Sequence, residues 1–207
     1  LTFTKKHKKM KAFLGIGLLG AGFVRPMINK GNEVQVWNRT ASKAKELEKY
    51  GAKAFENIAD AVKNADVIHM ALKDDATVDE ALAKAEAGLK FGAIIVDHTT
   101  TSIEGAQQRT EKWKSKGFQY QHAPVFMDQK NAMESNGYML VSGDQNLIGK
   151  LESQLSDMTG KLLNFGKEVG KAAAIKLTGN LFLVGFNGAL ADAIVFSNSV
   201  GISSDEV

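Results

Sequence analysis

The apolar run Ala12-Phe-Leu-Gly-Ile16 leads directly into Gly15-x-Gly17-x-x-Gly20, and a segment of helical period comes next. No other stretch restricts the fold as much, because it fixes a strand, a tight turn and a helix in one order. Gly15 lets the chain turn sharply off the strand. Gly17 has no Cβ, so a dinucleotide's pyrophosphate can approach the backbone. Gly20 lets the helix pack close to the strand, and the helix start presents free N–H groups to phosphates. Glycine-rich turns are common, and a lone fingerprint carries little weight. Here a strand precedes it, a helix succeeds it and a second strand stands at the right distance, which favours a dinucleotide site over a merely structural turn.

The rest of the chain continues the alternation. Short apolar runs predict strands at 12–16, 33–37, 53–55, 66–71, 93–97, 118–122, 138–142 and 161–165. Segments of helical period predict helices at 20–30, 41–50, 57–64, 75–87, 102–116, 144–158 and about 170–200. Strand and helix in turn mean βαβ crossovers, hence an α/β fold: a doubly wound, mainly parallel sheet with helices on both faces.

Composition removes several alternatives. The 26 basic and 23 acidic residues leave a net charge of +3, which argues against nucleic acid as the main partner. No cysteine is present, so neither a disulfide framework nor a thiol nucleophile exists. His7, His69, His98 and His122 show no paired ligand spacing, so no metal is expected. No uncharged run reaches the ~18 residues of a membrane span, and no cleavable signal is visible, so a cytoplasmic protein is expected. The lysine-rich residues 1–9 read as a basic tail ahead of a natural start at Met10, and are set aside from the fold.

The last helix differs from the others. Between Gly170 and Val200 it is apolar around most of its girth, with Leu181, Phe182, Leu183, Val184, Phe186, Leu190, Val195 and Phe196. Such a helix must be covered on several sides. Either further chain beyond the C-terminus or another subunit covers it, and on the second alternative a homodimer or higher homo-oligomer forms through the C-terminal helices. The end of the chain, Gly201-Ile-Ser-Ser-Asp-Glu-Val207, reads as a helix stop and a fresh cap, so the sequence is expected to break off where a further helix begins. The division is then a tail at 1–9, a dinucleotide-binding domain at 10–169, and at 170–207 an interdomain helix opening a truncated helical domain.

Three places carry chemistry. Asn38 stands 18 residues after Gly20, where an NAD site places an acidic residue for the ribose 2′-OH. Here the position is neutral and is succeeded by Arg39 and Thr40, with Ser42 close by. That set suits a 2′-phosphate, so NADP (NADPH) is favoured over NAD. The run Asp97-His98-Thr99-Thr100-Thr101-Ser102 lies at a strand end, where ligands bind in parallel sheets. One of its hydroxyls suffices as a helix cap, leaving three for the site. His98 is either a general acid or a structural histidine. Finally, Lys176 and Asn180 are four apart on one helical face. A lysine in that apolar stretch either snorkels or works on a substrate oxygen, and Asn180 would fix the same oxygen.

Gly15-Ile-Gly-Leu-Leu-Gly20, Asn38-Arg-Thr40, Asp97-His-Thr-Thr100, His122-Ala-Pro-Val125 and Gly170…Lys176-x-x-x-Asn180 stand in one order. In this the chain, from Met10 to Val207, resembles the β-hydroxyacid dehydrogenase family, which includes 3-hydroxyisobutyrate dehydrogenase and, more distantly, 6-phosphogluconate dehydrogenase. The resemblance implies a Rossmann-like domain, a long interdomain helix and a helical second domain that builds the dimer. It also implies an NAD(P)-dependent oxidoreductase that interconverts a β-hydroxyacid and its aldehyde or ketone. It makes Lys176 the proton donor or acceptor and Asn180 the substrate-orienting residue. Thr100 would touch nicotinamide and substrate, Leu18 and Leu19 would offer backbone N–H groups to the pyrophosphate, and Leu72 would line the ribose pocket.

One segment departs from the family. After Ala-Pro-Val125 the family has Ser-Gly-Gly, which holds the substrate carboxylate; this chain has Phe126-Met127-Asp128. The hydroxyl and glycines are gone and a negative charge is added, so these three residues are expected at the substrate and imply an altered one. Imine reductases, related proteins with altered substrate loops, are a second reading, although they typically lack the lysine that Lys176 supplies. A dinucleotide-binding module without catalysis is a third.

Overall fold

The computed structural model describes residues 10–207, so the basic tail at 1–9 lies outside the described residues. Six short strands form one parallel sheet: β1 (Lys11–Leu14), β2 (Val34–Trp37), β3 (Lys53–Phe55), β4 (Val67–Met70), β5 (Ile94–Asp97) and β6 (Gln119–His122). Their order is β3-β2-β1-β4-β5-β6. All four residues of β1 and of β4 are buried, as strands covered on both faces require. Alternate residues of β1 feed opposite cores. Phe13 packs with Phe23, Val24 and Val96 on one side, and Ala12 and Leu14 with Ile68, Ile95 and Trp113 on the other.

Helices α1 (Leu18–Asn29), α2 (Ala41–Lys45), α3 (Ile58–Val62), α4 (Asp75–Ala85) and α5 (Ile103–Ser115) connect these strands. The expected helix at 41–50 is broken. After α2 the chain forms a 3-10 turn at Glu48–Tyr50 and leaves it through Gly51 at φ +98°. Strand order reverses between β1 and β4, so the crevice beyond their carboxyl ends is the switch point of the sheet, where such folds bind ligands.

The strands expected at 138–142 and 161–165 do not extend this sheet. They are β8 (Tyr138–Val141) and β9 (Lys161–Asn164), paired in parallel within a separate three-stranded sheet. Its third member, β7 (Val125–Phe126), runs antiparallel to β8. Pro124 marks the change: its carbonyl accepts from Leu140 N, so the chain pairs with β8 from there on. Helix α6 (Gln129–Met133), too short to show a helical period in the sequence, packs on α1 at Gly22, where a Cβ would stand 2.8 Å from the Ala132 Cβ. Helix α7 (Gln145–Ser156) lies between β8 and β9 in the chain.

The long helix is α8 (Lys171–Ser199). Its first turn is fixed: Ala172 and Ala173 are buried, and Ala172 N donates to Ser142 Oγ at 3.0 Å. From Leu181 onward its large side chains, half-buried Ile194 apart, are exposed, with Leu181 at 74% and Phe182 at 70%. By length and composition alone α8 is apolar enough to cross a membrane. Counting uncharged runs misses this, because Lys176 and Asp192 interrupt the stretch without making it polar.

Candidate functional site

The glycine turn has the geometry its spacing demands. Gly15 sits at φ +94°, and a Cβ on Gly20 would come within 1.9 Å of the Gly15 carbonyl oxygen. Gly17 differs: it is exposed, and a Cβ there would meet nothing within 4 Å, so the space beside the backbone is open to a pyrophosphate. No side chain caps α1, leaving its first-turn N–H groups without partners inside the helix. Asn38 braces the turn. Its Oδ1 accepts from Ile16 N at 2.9 Å while its Nδ2 donates to the Thr40 carbonyl at 3.0 Å.

This turn opens onto a cavity of about 600 Å³. Gly15, Gly17, Leu18, Leu19, Gly20, Asn38, Arg39, Thr40, Leu72 and Thr100 all line it, and so does Lys176 from α8, 138 residues beyond Asn38. Open space at Gly17, uncapped N–H groups and a basic loop at Arg39 fit a dinucleotide. Sequence reasoning missed Lys43 and the α4 residues Thr77, Glu80 and Lys84, which line the Arg39 end. Lys84 pairs with Glu80 at 2.6 Å. Nothing in their spacing separates these residues from an ordinary solvated helix face.

Buried bonds hold the strand-end run 97–102 in place. Asp97 Oδ1 accepts from Thr99 N at 2.9 Å and its Oδ2 from the Tyr120 hydroxyl at 2.6 Å. Tyr120 in turn accepts from Arg109 Nε at 3.1 Å. Arg109 pairs with Asp79 at 3.2 Å and with Asp75, whose other oxygen accepts from Ser102 N at 2.9 Å. Of the four hydroxyls, Ser102 caps α5, Thr99 accepts from Leu72 N at 2.9 Å, and Thr101 meets His122 Nε2 at 3.1 Å. Only the Thr100 hydroxyl makes no bond within the described residues, so one hydroxyl rather than three is left unengaged.

His98 has both ring nitrogens engaged. Its Nδ1 donates to the Ala123 carbonyl at 2.8 Å, so its Nε2 accepts from His69 Nδ1 at 3.0 Å. His69 Nε2 then accepts from Gln154 Nε2 at 2.6 Å. The two rings stack with centroids 5.3 Å apart. Burial pushes His98 down to about 4 and His69 well below the usual histidine range. Both are neutral and structural, which answers the alternative left open for His98.

Lys176 is half-buried, its Nζ 4.3 Å from the centroid of the Phe126 ring, and burial lowers its pKa below the usual lysine value. Asn180 stands one turn later, half-buried and outside the cavity lining. Of the three departing residues, Met127 lines the cavity and Phe126 packs against Lys176 and Gly179. Asp128 lies elsewhere: it caps α6, accepting from Asn131 N at 2.8 Å, while Asn131 Oδ1 accepts from Asp128 N at 3.1 Å. The charge expected at the substrate therefore serves a helix terminus. The spacing Asp128-x-x-Asn131 was the signal available for it.

The model of the NAD binding domain of 6-phosphogluconate dehydrogenase matches residues 11–166. Glyoxylate/succinic semialdehyde reductase 2 of Arabidopsis thaliana is 31% identical over 193 residues, 92% of this chain and 54% of the plant protein. The human cytokine-like nuclear factor N-PAC is 29% identical over 205 residues, 98% of this chain and 37% of that protein. The chain thus spans about half or less of these relatives. Among solved structures, Mycobacterium tuberculosis 3-hydroxyisobutyrate dehydrogenase with L-serine superposes with a TM-score of 0.87 at 25% identity, covering 96% of this chain and 68% of that one. An imine reductase from Myxococcus stipitatus in complex with NAD+ shares the fold, with a TM-score of 0.88 at 22% identity over 96% of this chain and 69% of that one. With the glycine turn, the strand order and the long helix all in place, the chain belongs to the β-hydroxyacid dehydrogenase family and carries the NAD-binding domain of the 6-phosphogluconate dehydrogenase type.

Proposed function

We propose that this chain is the cofactor-binding part of an NADP(H)-dependent oxidoreductase that interconverts an alcohol of the β-hydroxyacid type and its aldehyde or ketone. One observation carries the reading: the glycine turn and Lys176, far apart in sequence, line a single cavity. The nicotinamide supplies the hydride chemistry. Lys176 gives a proton to the carbonyl oxygen on reduction, or takes it from the hydroxyl on oxidation. Thr100 offers its unengaged hydroxyl beside it, and Met127 lines the substrate end. Arg39, with Lys43 and Lys84 close to the same mouth, supports NADP over NAD. The bare face of α8 supports self-association, with 10–169 as the dinucleotide-binding domain and 170–207 as the start of a helical one.

The test is cofactor titration through the fluorescence of Trp37, which lines the cavity, and Trp113. NADPH is expected to bind about tenfold or more tightly than NADH, with the difference lost in Arg39→Ala. Equal affinity for both overturns the NADP assignment. Lys176→Ala is expected to keep cofactor binding and lose about a hundredfold or more in turnover. Full turnover in that variant removes the proton role. Turnover on cyclic imines but not on aldehyde acids would favour imine reduction.

A further inference from the structure

Phe126 stands at a junction. Pairing of β7 with β8, Phe126 opposite Tyr138, fixes its backbone. Its ring reaches α8 and lies against Gly179, where a Cβ would come within 2.4 Å of the ring tip. Lys176 and Gly179 are three residues apart on one face of the helix, and the Lys176 ammonium lies over the same ring at 4.3 Å from its centroid. Lys176 makes no ion pair among the described residues. The titratable groups on the elements around it are Glu104, Arg109, Glu111, Lys112 and Lys114 on α5, Asp128 after β7, Tyr138 on β8, and Lys171 and Asp192 on α8 itself, and Lys176 has no hydrogen bond or ion pair to any of them. His98, in the same cavity wall, is neutral with both nitrogens engaged.

We propose that Phe126 is a positioning residue for Lys176: its ring face, seated on Gly179, holds the ammonium at the substrate end of the cavity and stabilises the protonated form in place of a carboxylate. A ring quadrupole attracts a cation without pairing its charge, so the proton stays transferable. A carboxylate at the same distance would bind the ammonium more strongly and hold the proton back. A glycine three residues after the lysine is what allows the ring to lie flat across the helix. The ring also fills volume beside the ammonium, so a substrate must reach Lys176 from the Met127 and Thr100 side. This proposal deepens the reading of Lys176 as proton partner and rests on it.

The experiment tracks the titration of Lys176 itself in the full chain, by trace acetylation across a pH series and peptide mass spectrometry. Phe126→Leu, which keeps bulk and removes the ring, is expected to lower the Lys176 midpoint by about half a pH unit. Gly179→Ala, which pushes the ring away without deleting it, is expected to act in the same direction. Phe126→Trp is expected to restore or raise the midpoint. A midpoint that stays or rises in folded Phe126→Leu overturns the proposal, because the ring then acts only by excluding water. The two readings fail separately. If Lys176→Ala turns over normally while the Phe126 variants still lower the midpoint, the proton role falls and the positioning stands.

Discussion

His69 and His98 sit within a one-directional chain in which Gln154 donates to His69, His69 to His98 and His98 to the Ala123 carbonyl. Each ring has one donor and one acceptor nitrogen in use. A second proton on either ring would set two N–H groups against each other in a buried place. Their folded pKa values lie below the unfolded value of 6.5. The unfolded chain therefore binds protons first as pH falls, and the stability present above about pH 6.5 is lost toward pH 4. For His98 alone the loss amounts to about 3 kcal/mol. Urea unfolding across pH 4–7 checks this, and His98→Asn is expected to flatten the slope. The glycines make a second residue-scale contrast. Gly20→Ala drives a Cβ into the Gly15 carbonyl and is expected to cost about 2–3 kcal/mol. Gly17→Ala meets no protein atom, so stability should change by no more than about 0.5 kcal/mol while NADPH affinity falls about tenfold or more. Thermal melts and cofactor titration of both variants separate a glycine that serves packing from one that serves the ligand.

At the level of elements, the 97–102 run is held to α4 and α5 by Arg109, whose side chain is only 2% exposed. Arg109→Met leaves Asp75 and the Tyr120–Asp97 pair without their shared cation. The expected cost is about 3 kcal/mol, read as a lower urea midpoint, together with weaker cofactor binding as Thr100 loses its support. None of this network was legible in the sequence, since Asp75, Asp79, Asp97, Arg109 and Tyr120 share no common period and meet only through tertiary packing. Elements governed by local rules were legible. The first six strands, the glycine turn and α8 lie within one or two residues of their sequence expectations, because apolar period and glycine spacing are local signals. The separation of β8 and β9 into a second sheet was not, because β7 is two residues long and its pairing is set by partners 12 and 14 residues away. The lining of the cavity was largely legible, as glycine spacing, Asn38-Arg39-Thr40 and the Lys176 resemblance converge on it. The place of Asp128 was not, since a short helix competed for its carboxylate.

For the whole molecule, the governing asymmetry is that α8 is anchored at one end and bare over most of its length. Phe182 and Phe186 stack on each other at 6.3 Å, Phe182 70% exposed. Sedimentation velocity is expected to show concentration-dependent self-association, abolished by Phe182→Glu combined with Phe186→Glu. A monomer across a hundredfold concentration range would refute it. The anchoring also has a mechanical side. A helix of 29 residues is a rod about 43 Å long. Its fulcrum is the first turn, where Ala172 is tied to Ser142. Lys176 rides about 8 Å from that end, so a 1 Å swing of the far tip moves it by only about 0.2 Å. In the function proposed above, the short arm of the lever would carry the proton and the long arm the contact surface, so that docking at the tip would leave the chemistry nearly still.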